Sequence, residues 1–261
     1  MKITIFSLIL FSMTFSFAQS QMYIWKNGAI TDSMAITNDL KISFMTNSSY
    51  PTDYVAYYPF SGNSNDMSGR GHNPTITNAT LIADRFGQSN SAYNFNGTNN
   101  YISIPHSSDF NYSGSDTIAF SYWINVNGTV NNGAVICKAN PGGVSNYCTP
   151  HGPDSTFLFL INHYGNANGT NSVKILPNQW HHIYISCAQK VCSIFVDGVY
   201  NTSKTFTVTP STNSAPLYLG DDTDGNHEYF KGGIDDIRVY RRVLSEVEIQ
   251  SLYHEGGWIG N

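Results

Sequence analysis

From Asp53 to Gly256 the chain is a succession of short runs that alternate in polarity or are rich in aromatics. Examples are YVAYYPF, SAYNFNG, NYISIP, TIAFSYWINV, AVICKA, TFLFLINHY, WHHIYISC, CSIFVDGVY, APLYLGD and IDDIRVY, with clusters of Gly, Asn, Pro and Asp between them. A two-residue period puts successive side chains on opposite faces of a strand, and evenly spaced turn signals favour sandwiches and jelly rolls. The expected fold is therefore all-β, two antiparallel sheets face to face. One segment departs from it: LSEVEIQSLY, Leu244 to Tyr253, carries a helical pattern, with Ser245 as N-cap and Glu246 and Glu248 in the first turn. No repeat of 20 to 50 residues occurs, which argues against a solenoid or propeller.

Net charge is -5 over 261 residues with no Lys/Arg-rich run, so the chain has no electrostatic footprint for nucleic acid. Lys2, the apolar stretch Ile3 to Phe17 and the small residues around Ala18 read as a secretory signal over residues 1–18. It is too short to span a bilayer, and no other stretch approaches the roughly 18 apolar residues of a membrane span. No Cys follows the expected cut, so a lipoprotein anchor is not expected. The expected location is secreted or at the cell surface. Residues 19–50 form a short N-terminal β segment, with a tight turn at Asn27-Gly28 and a polar linker, TNSSYPTD. The main domain is expected over 53–256.

An oxidising compartment favours disulfides between the four cysteines. Cys187 and Cys192 flank a short turn between two alternating runs, which sets them opposite each other in a hairpin. Cys137 and Cys148 would then close the loop KANPGGVSNY. Four cysteines permit three connectivities, and the local pairing is the expected one. The spacing does not match a zinc knuckle.

Seven pieces occur in one order: YYPFSGNSNDMSGRGHNPTITNAT, SAYNFNGTNNYISIP, TIAFSYWINV, PNQWHHIYIS, CSIFVDGVYNTS, APLYLGDD and GGIDDIRVYRRVLSEVEIQSLY. Together they resemble the laminin G-like jelly-roll domain of the concanavalin A-like lectin/glucanase superfamily, over roughly residues 53 to 255. The resemblance implies two curved antiparallel sheets, one short C-terminal helix, and Trp123 and Trp180 in the core. It also implies a structural calcium at the sandwich edge. Asp235, first of the aspartate pair in IDDIRVY, matches the strand carboxylate of such a site. Asn65 and Asp66 lie in its early loop, and the Gly97 carbonyl is a further ligand candidate. Calcium takes six to eight oxygens, and a cation would account for an aspartate inside a strand. The alternative is that Asp235 pairs with Arg238, Arg241 or backbone amides while Asp236 faces solvent.

The superfamily includes glucanases, but glycoside hydrolysis generally needs two carboxylates flanking the bond. Here the glutamates are Glu228, Glu246, Glu248 and Glu255, all in the C-terminal quarter, and no Glu-x-Asp-x-x-Glu strand motif occurs. No G-x-S-x-G elbow is present, and the adjacent His181 and His182 point to opposite faces of a strand. The sequence therefore points to a non-catalytic binding module for a glycan or cell-surface glycoprotein. Tyr101, Tyr164, Tyr229 and Trp258 are candidates for stacking on sugars, and Asp221, Asp222 and Asp224 for a rim loop. An adhesive or structural surface protein without glycan binding is the other reading, and a glycoside hydrolase a distant third.

Overall fold

The computed structural model of the protein describes residues 10–11, 21–26, 29–35, 50–128, 133–140, 145–152, 156–157, 159–161, 168–170, 173–222 and 227–260. The chain divides into two compact units, Met1–Thr46 and Asn47–Asn261. The first holds a three-stranded antiparallel sheet: β1 (Leu10–Phe11), β2 (Gln21–Lys26) and β3 (Ala29–Ala35). Lys26 pairs with Ala29, while Asn27 and Gly28, where the sequence places a tight turn, lie outside the described residues. β1 falls within the stretch read as a signal.

The second unit is the sandwich. Its first strands are β4 (Ala56–Tyr58), β5 (Thr75–Thr77), β6 (Thr80–Ile82), β7 (Ala92–Asn96), β8 (Tyr101–Ile104), β9 (Thr117–Val126) and β10 (Gly133–Lys138). Then come β11 (Tyr147–Gly152), β12 (Thr156–Phe157), β13 (Leu160–Ile161), β14 (Asn168–Gly169), β15 (Val173–Lys174) and β16 (Trp180–Ala188). The remaining strands are β17 (Val191–Val196), β18 (Val199–Thr205), β19 (Leu217–Leu219) and β20 (Lys231–Tyr240), followed by helix α1 (Glu246–Tyr253). One sheet runs β18-β17-β16-β9-β20-β7-β6, with β4 also on β20; the other runs β14-β13-β11-β10-β19-β8-β5, with β12 on β11 and β15 on β12. Neighbouring strands are antiparallel, as a jelly roll requires.

Alternation along β9 explains how one strand serves two faces. Ile118, Phe120, Tyr122, Ile124 and Val126 enter the core between the sheets, while Ala119, Ser121, Trp123 and Asn125 face the other way. Ile234, Ile237 and Val239 of β20 also lie inside, an extra residue between Ile234 and Ile237 shifting the alternation by one. Both faces of this sheet are covered in its middle, because α1 brings Ile249 and Leu252 against Ala119, Tyr184 and Tyr240. The helix begins where the sequence places it. The Ser245 hydroxyl accepts from the Glu248 N–H, and the Glu248 carboxylate reaches back to the Ser245 N–H, a capping box. Arg242 bridges the Glu248 and Asp53 carboxylates, and its hydrogen bonds hold the Glu248 carboxyl down at about 2.

Trp123 and Trp180 are buried, as expected, but not between the sheets. They lie on the outer face with Ala92, beneath Ile82, Tyr253 and Trp258. Their odd spacing from the aliphatic positions of β9 and β16 puts them on the opposite side from Ile124 and Ile183.

Cys187 and Cys192 form the hairpin disulfide, with Gln189 and Lys190 making a two-residue turn at positive φ between β16 and β17. This short loop constrains the unfolded chain by about 2 kcal/mol. The double substitution Cys187→Ala/Cys192→Ala is expected to lower stability by about that amount in urea unfolding. The second expected bridge is corrected: Cys137 and Cys148 are buried free thiols. They are register partners across β10 and β11, in a small-residue layer with Ala134 and Ala139. Burial pushes both thiols above their ordinary value, favouring the neutral form.

Candidate functional site

The aspartate pair of β20 sits at a β-bulge. Asp235 is opposite Trp123 and Arg238 opposite Ser121, so β20 spends an extra residue there, and Asp236 takes the left-handed conformation (φ 48°). Consecutive strand residues normally face opposite ways; the bulge turns both carboxylates to the outer face. There Arg85 meets both, its Nη1 lying 3.2 Å from Asp235 Oδ2 and 2.7 Å from Asp236 Oδ2. The guanidinium packs 4.4 Å from the Trp123 ring centre and 4.5 Å from that of Phe86. Asp235 Oδ1 also accepts from the Asp236 N–H at 2.8 Å. Desolvation, then repulsion from Asp236, raises the Asp235 carboxyl well above its ordinary value against the pull of Arg85. The partner is thus a cation supplied by the chain, and neither Arg238 nor Arg241 fills that role for Asp235. Arg238 instead bonds Glu255 at 2.8 Å and the Tyr57 hydroxyl at 3.0 Å, tying the C-terminal segment to the sheet.

Of the other expected calcium ligands, Asp66 is engaged elsewhere. Asp66 Oδ1 accepts from the N–H groups of Tyr57 and Ser68, and Oδ2 from the Ser68 hydroxyl and the His72 N–H. Those four bonds organise the 61–73 loop and use the carboxylate as a backbone clamp. Asn65 is exposed, its N–H donating to Asn63 Oδ1. Gly97, with φ 78°, lies against Lys231. Asp66 and Asp235 are thus committed to separate partners, and among the described residues no group of three His, Cys, Asp or Glu side chains is placed to hold a metal.

Asp221 and Asp222 are fully buried at the end of β19. Asp221 Oδ2 lies 2.9 Å from His227 Nδ1, and Asp222 Oδ1 accepts from the Glu228 N–H at 3.0 Å, so both close the loop internally. Asp224 and Tyr164 lie outside the described residues. Tyr229 stacks on His227, Tyr101 packs edge-on against Tyr218, and Trp258 covers Trp123 and Phe86. Tyr101 belongs to one sheet and Trp258 to the cover of the other, so the aromatic candidates do not assemble into one site. Ser121 and His182 make a 2.8 Å hydrogen bond resembling a nucleophile–base pair. Both are buried, and burial pushes the His182 imidazole down to about 3.

A cleft that sequence reasoning missed opens on the outer face of the β16-β9-β20-β7 sheet, next to the tryptophans. Trp180 pairs with Asn125, Asn125 with Gly233, and Gly233 with Asn94, so one row crosses four strands. Asn127 and Asn178 join it from the loops after β9 and before β16; the Asn178 N–H donates to the Val126 carbonyl at 2.7 Å. Gly233 is the floor. A Cβ there would stand 2.8 Å from the Trp180 ring and 3.3 Å from Ile82 Cδ1, filling the space the glycine leaves. The cavity holds about 260 Å³ and no charged side chain lines it. Among the described residues, none hydrogen-bonds any of the four carboxamides. Each therefore presents two donors and an acceptor to whatever enters. The only local signal was the asparagine content of YNFNG, INVNG and PNQW, which reads equally as turn chemistry.

A laminin G family model, described as the concanavalin A-like lectin/glucanases superfamily, matches residues 96–250. That is more than half of the chain, and the chain belongs to this family. Among solved structures, the binding domain of Paraclostridial Mosquitocidal Protein 1 is similar with a TM-score of 0.62 and 18% identity, over 77% of this chain and 51% of that one. Domain 4 of AbnA, an extracellular GH43 arabinanase from Geobacillus stearothermophilus solved with arabinotriose, gives 0.57 and 20%, over 77% and 98%. A Trypanosoma rangeli sialidase in complex with the inhibitor DANA gives 0.58 and 17%, over 80% and 34%. This chain spans about half the length of the toxin domain it matches. At these identities the likeness is one of fold. No curated protein sequence matches the chain.

Proposed function

We propose that the chain is an exported, non-catalytic module that recognises carbohydrate, free or carried on a cell-surface glycoprotein. The observation that carries this reading is the cleft itself: hydrogen-bonding groups left open beside an indole, with no titratable side chain in the lining. Recognition needs donors, acceptors and a flat apolar surface, whereas hydrolysis of a glycosidic bond needs paired carboxylates open to substrate. The juxtaposed pair Asp235 and Asp236 is bridged by Arg85 with side chains only 2% and 14% exposed, which suits a structural role. The arabinanase domain, solved with arabinotriose, and the toxin binding domain use the same sandwich, and they lend support at the level of fold. The hairpin disulfide and the leader-like N-terminus are consistent with export. Among the described residues no helix is long and apolar enough to cross a membrane. The reading contains no calcium at Asp235, because Arg85 already supplies the positive charge.

A glycan array probed with the full chain, once in calcium and once in chelator, tests the proposal. Binding to a defined set of glycans is expected, with no reducing sugar released from the polysaccharides bound. A silent array in both conditions, or sugar release, would overturn it.

A further inference from the structure

We propose that the row Trp180, Asn125, Gly233 and Asn94 is a subsite for one neutral sugar residue, held by carboxamides and without a bridging cation. This rests on the carbohydrate-binding reading and assigns it a place and a ligand class. With no carboxylate in the lining, the site offers calcium only neutral oxygens and no charge to offset its dehydration; with no Lys or Arg, it offers no countercharge to an acidic sugar. Hydroxyls both donate and accept, and a carboxamide answers both roles, so Asn94 and Asn125 suit vicinal or ring hydroxyls. The Trp180 edge and Ile82 add an apolar wall for a C–H face. A cavity of about 260 Å³ falls just below the roughly 300 Å³ at which drug-sized pockets begin, so it fits a single ring rather than a chain.

The row is also held in place before any ligand arrives. Asn125 and Asn94 are strand residues flanking Gly233 of β20, in a sheet whose opposite face is the packed core. Ordering them on binding costs little compared with ordering a loop. Gly233 sets the depth, since any side chain there meets the Trp180 ring. At the rim loop, by contrast, Asp221 Oδ2 is engaged by His227 of the same loop and Asp222 Oδ1 by the Glu228 N–H.

The test is saturation-transfer NMR and titration of the full chain, in chelator, with methyl glycosides of arabinose, glucose, galactose and N-acetylglucosamine, and with sialic acid. At least one neutral glycoside is expected to bind with Kd of about 1 mM, typical of few contacts to a small ligand. Asn94→Ala/Asn125→Ala should weaken it at least about tenfold with an unchanged melting temperature. Asn125→Asp, which keeps the shape and removes two donors, should weaken it as well. Neutral-sugar binding that survives both variants unchanged, that requires calcium, or that is replaced by binding of sialic acid alone would overturn this assignment. In that event glycan-array binding would still stand, whereas a silent array would remove the broader reading.

Discussion

Arg85→Ala is expected to destabilise the sandwich by about 3–5 kcal/mol, the range found when one partner of a buried ion pair is removed. Arg85 is the only cation within salt-bridge reach of Asp235 among the described residues, and it is shared with Asp236. Its loss leaves two adjacent, largely buried carboxylates with little countercharge, Arg238 standing 3.9 Å from Asp236. The effect should depend on pH with a definite sign. Without Arg85 the folded Asp235 carboxyl, already raised by desolvation, stands further above its unfolded value near 3.9, so folding favours its protonated form. The deficit therefore grows as pH rises above that unfolded value and fades as pH falls towards it. Asp235→Asn/Asp236→Asn in the Arg85→Ala background should restore most of the loss at pH 7. Urea unfolding at pH 7 and pH 4 measures both; a loss below 1 kcal/mol, or one that grows on acidification, contradicts the account.

Trp123→Ala is expected to cost about 3–5 kcal/mol, the usual range for deleting a large buried aromatic. Trp123 is 1% exposed and is the common floor for Arg85, His182, Tyr253 and Trp258, with the Tyr253 ring stacked at 5.8 Å. Removing it opens a cavity and takes the aromatic face from the Arg85 guanidinium. Trp123→Phe should cost distinctly less, since a ring remains under the guanidinium. Because Arg85 and Trp123 are in contact, their losses should not add: the double variant should fall short of the sum by more than 0.5 kcal/mol. Simple additivity in chemical denaturation would show that the two act separately.

Helix α1 was legible because its signals are local: Ser245, Glu248 and the apolar spacing lie within one turn or two of each other. The Cys187–Cys192 hairpin was legible for the same reason, a two-residue turn fixing the register. The role of the aspartate pair was not. Both a cation and an Arg explain a strand carboxylate equally well, and the residue that decides, Arg85, lies 150 positions earlier. The parity of β9 shows Trp123 and Asn125 opposite Ile124, but it does not say which face is the core and which lies under a helix.

By itself the sequence determined the layers: strand period, turn chemistry, the cap of the lone helix, and the ordered pieces that mark the family. These follow from interactions between residues a few positions apart, which hold in any arrangement of the strands. Tertiary structure alone decided that four strands from residues 92 to 240 align Asn94, Gly233, Asn125 and Trp180 in one row, and that Cys137 and Cys148 stay as thiols. Register between strands far apart in the chain is set by the closing of the whole sheet, and a slip of one residue turns every side chain to the other face.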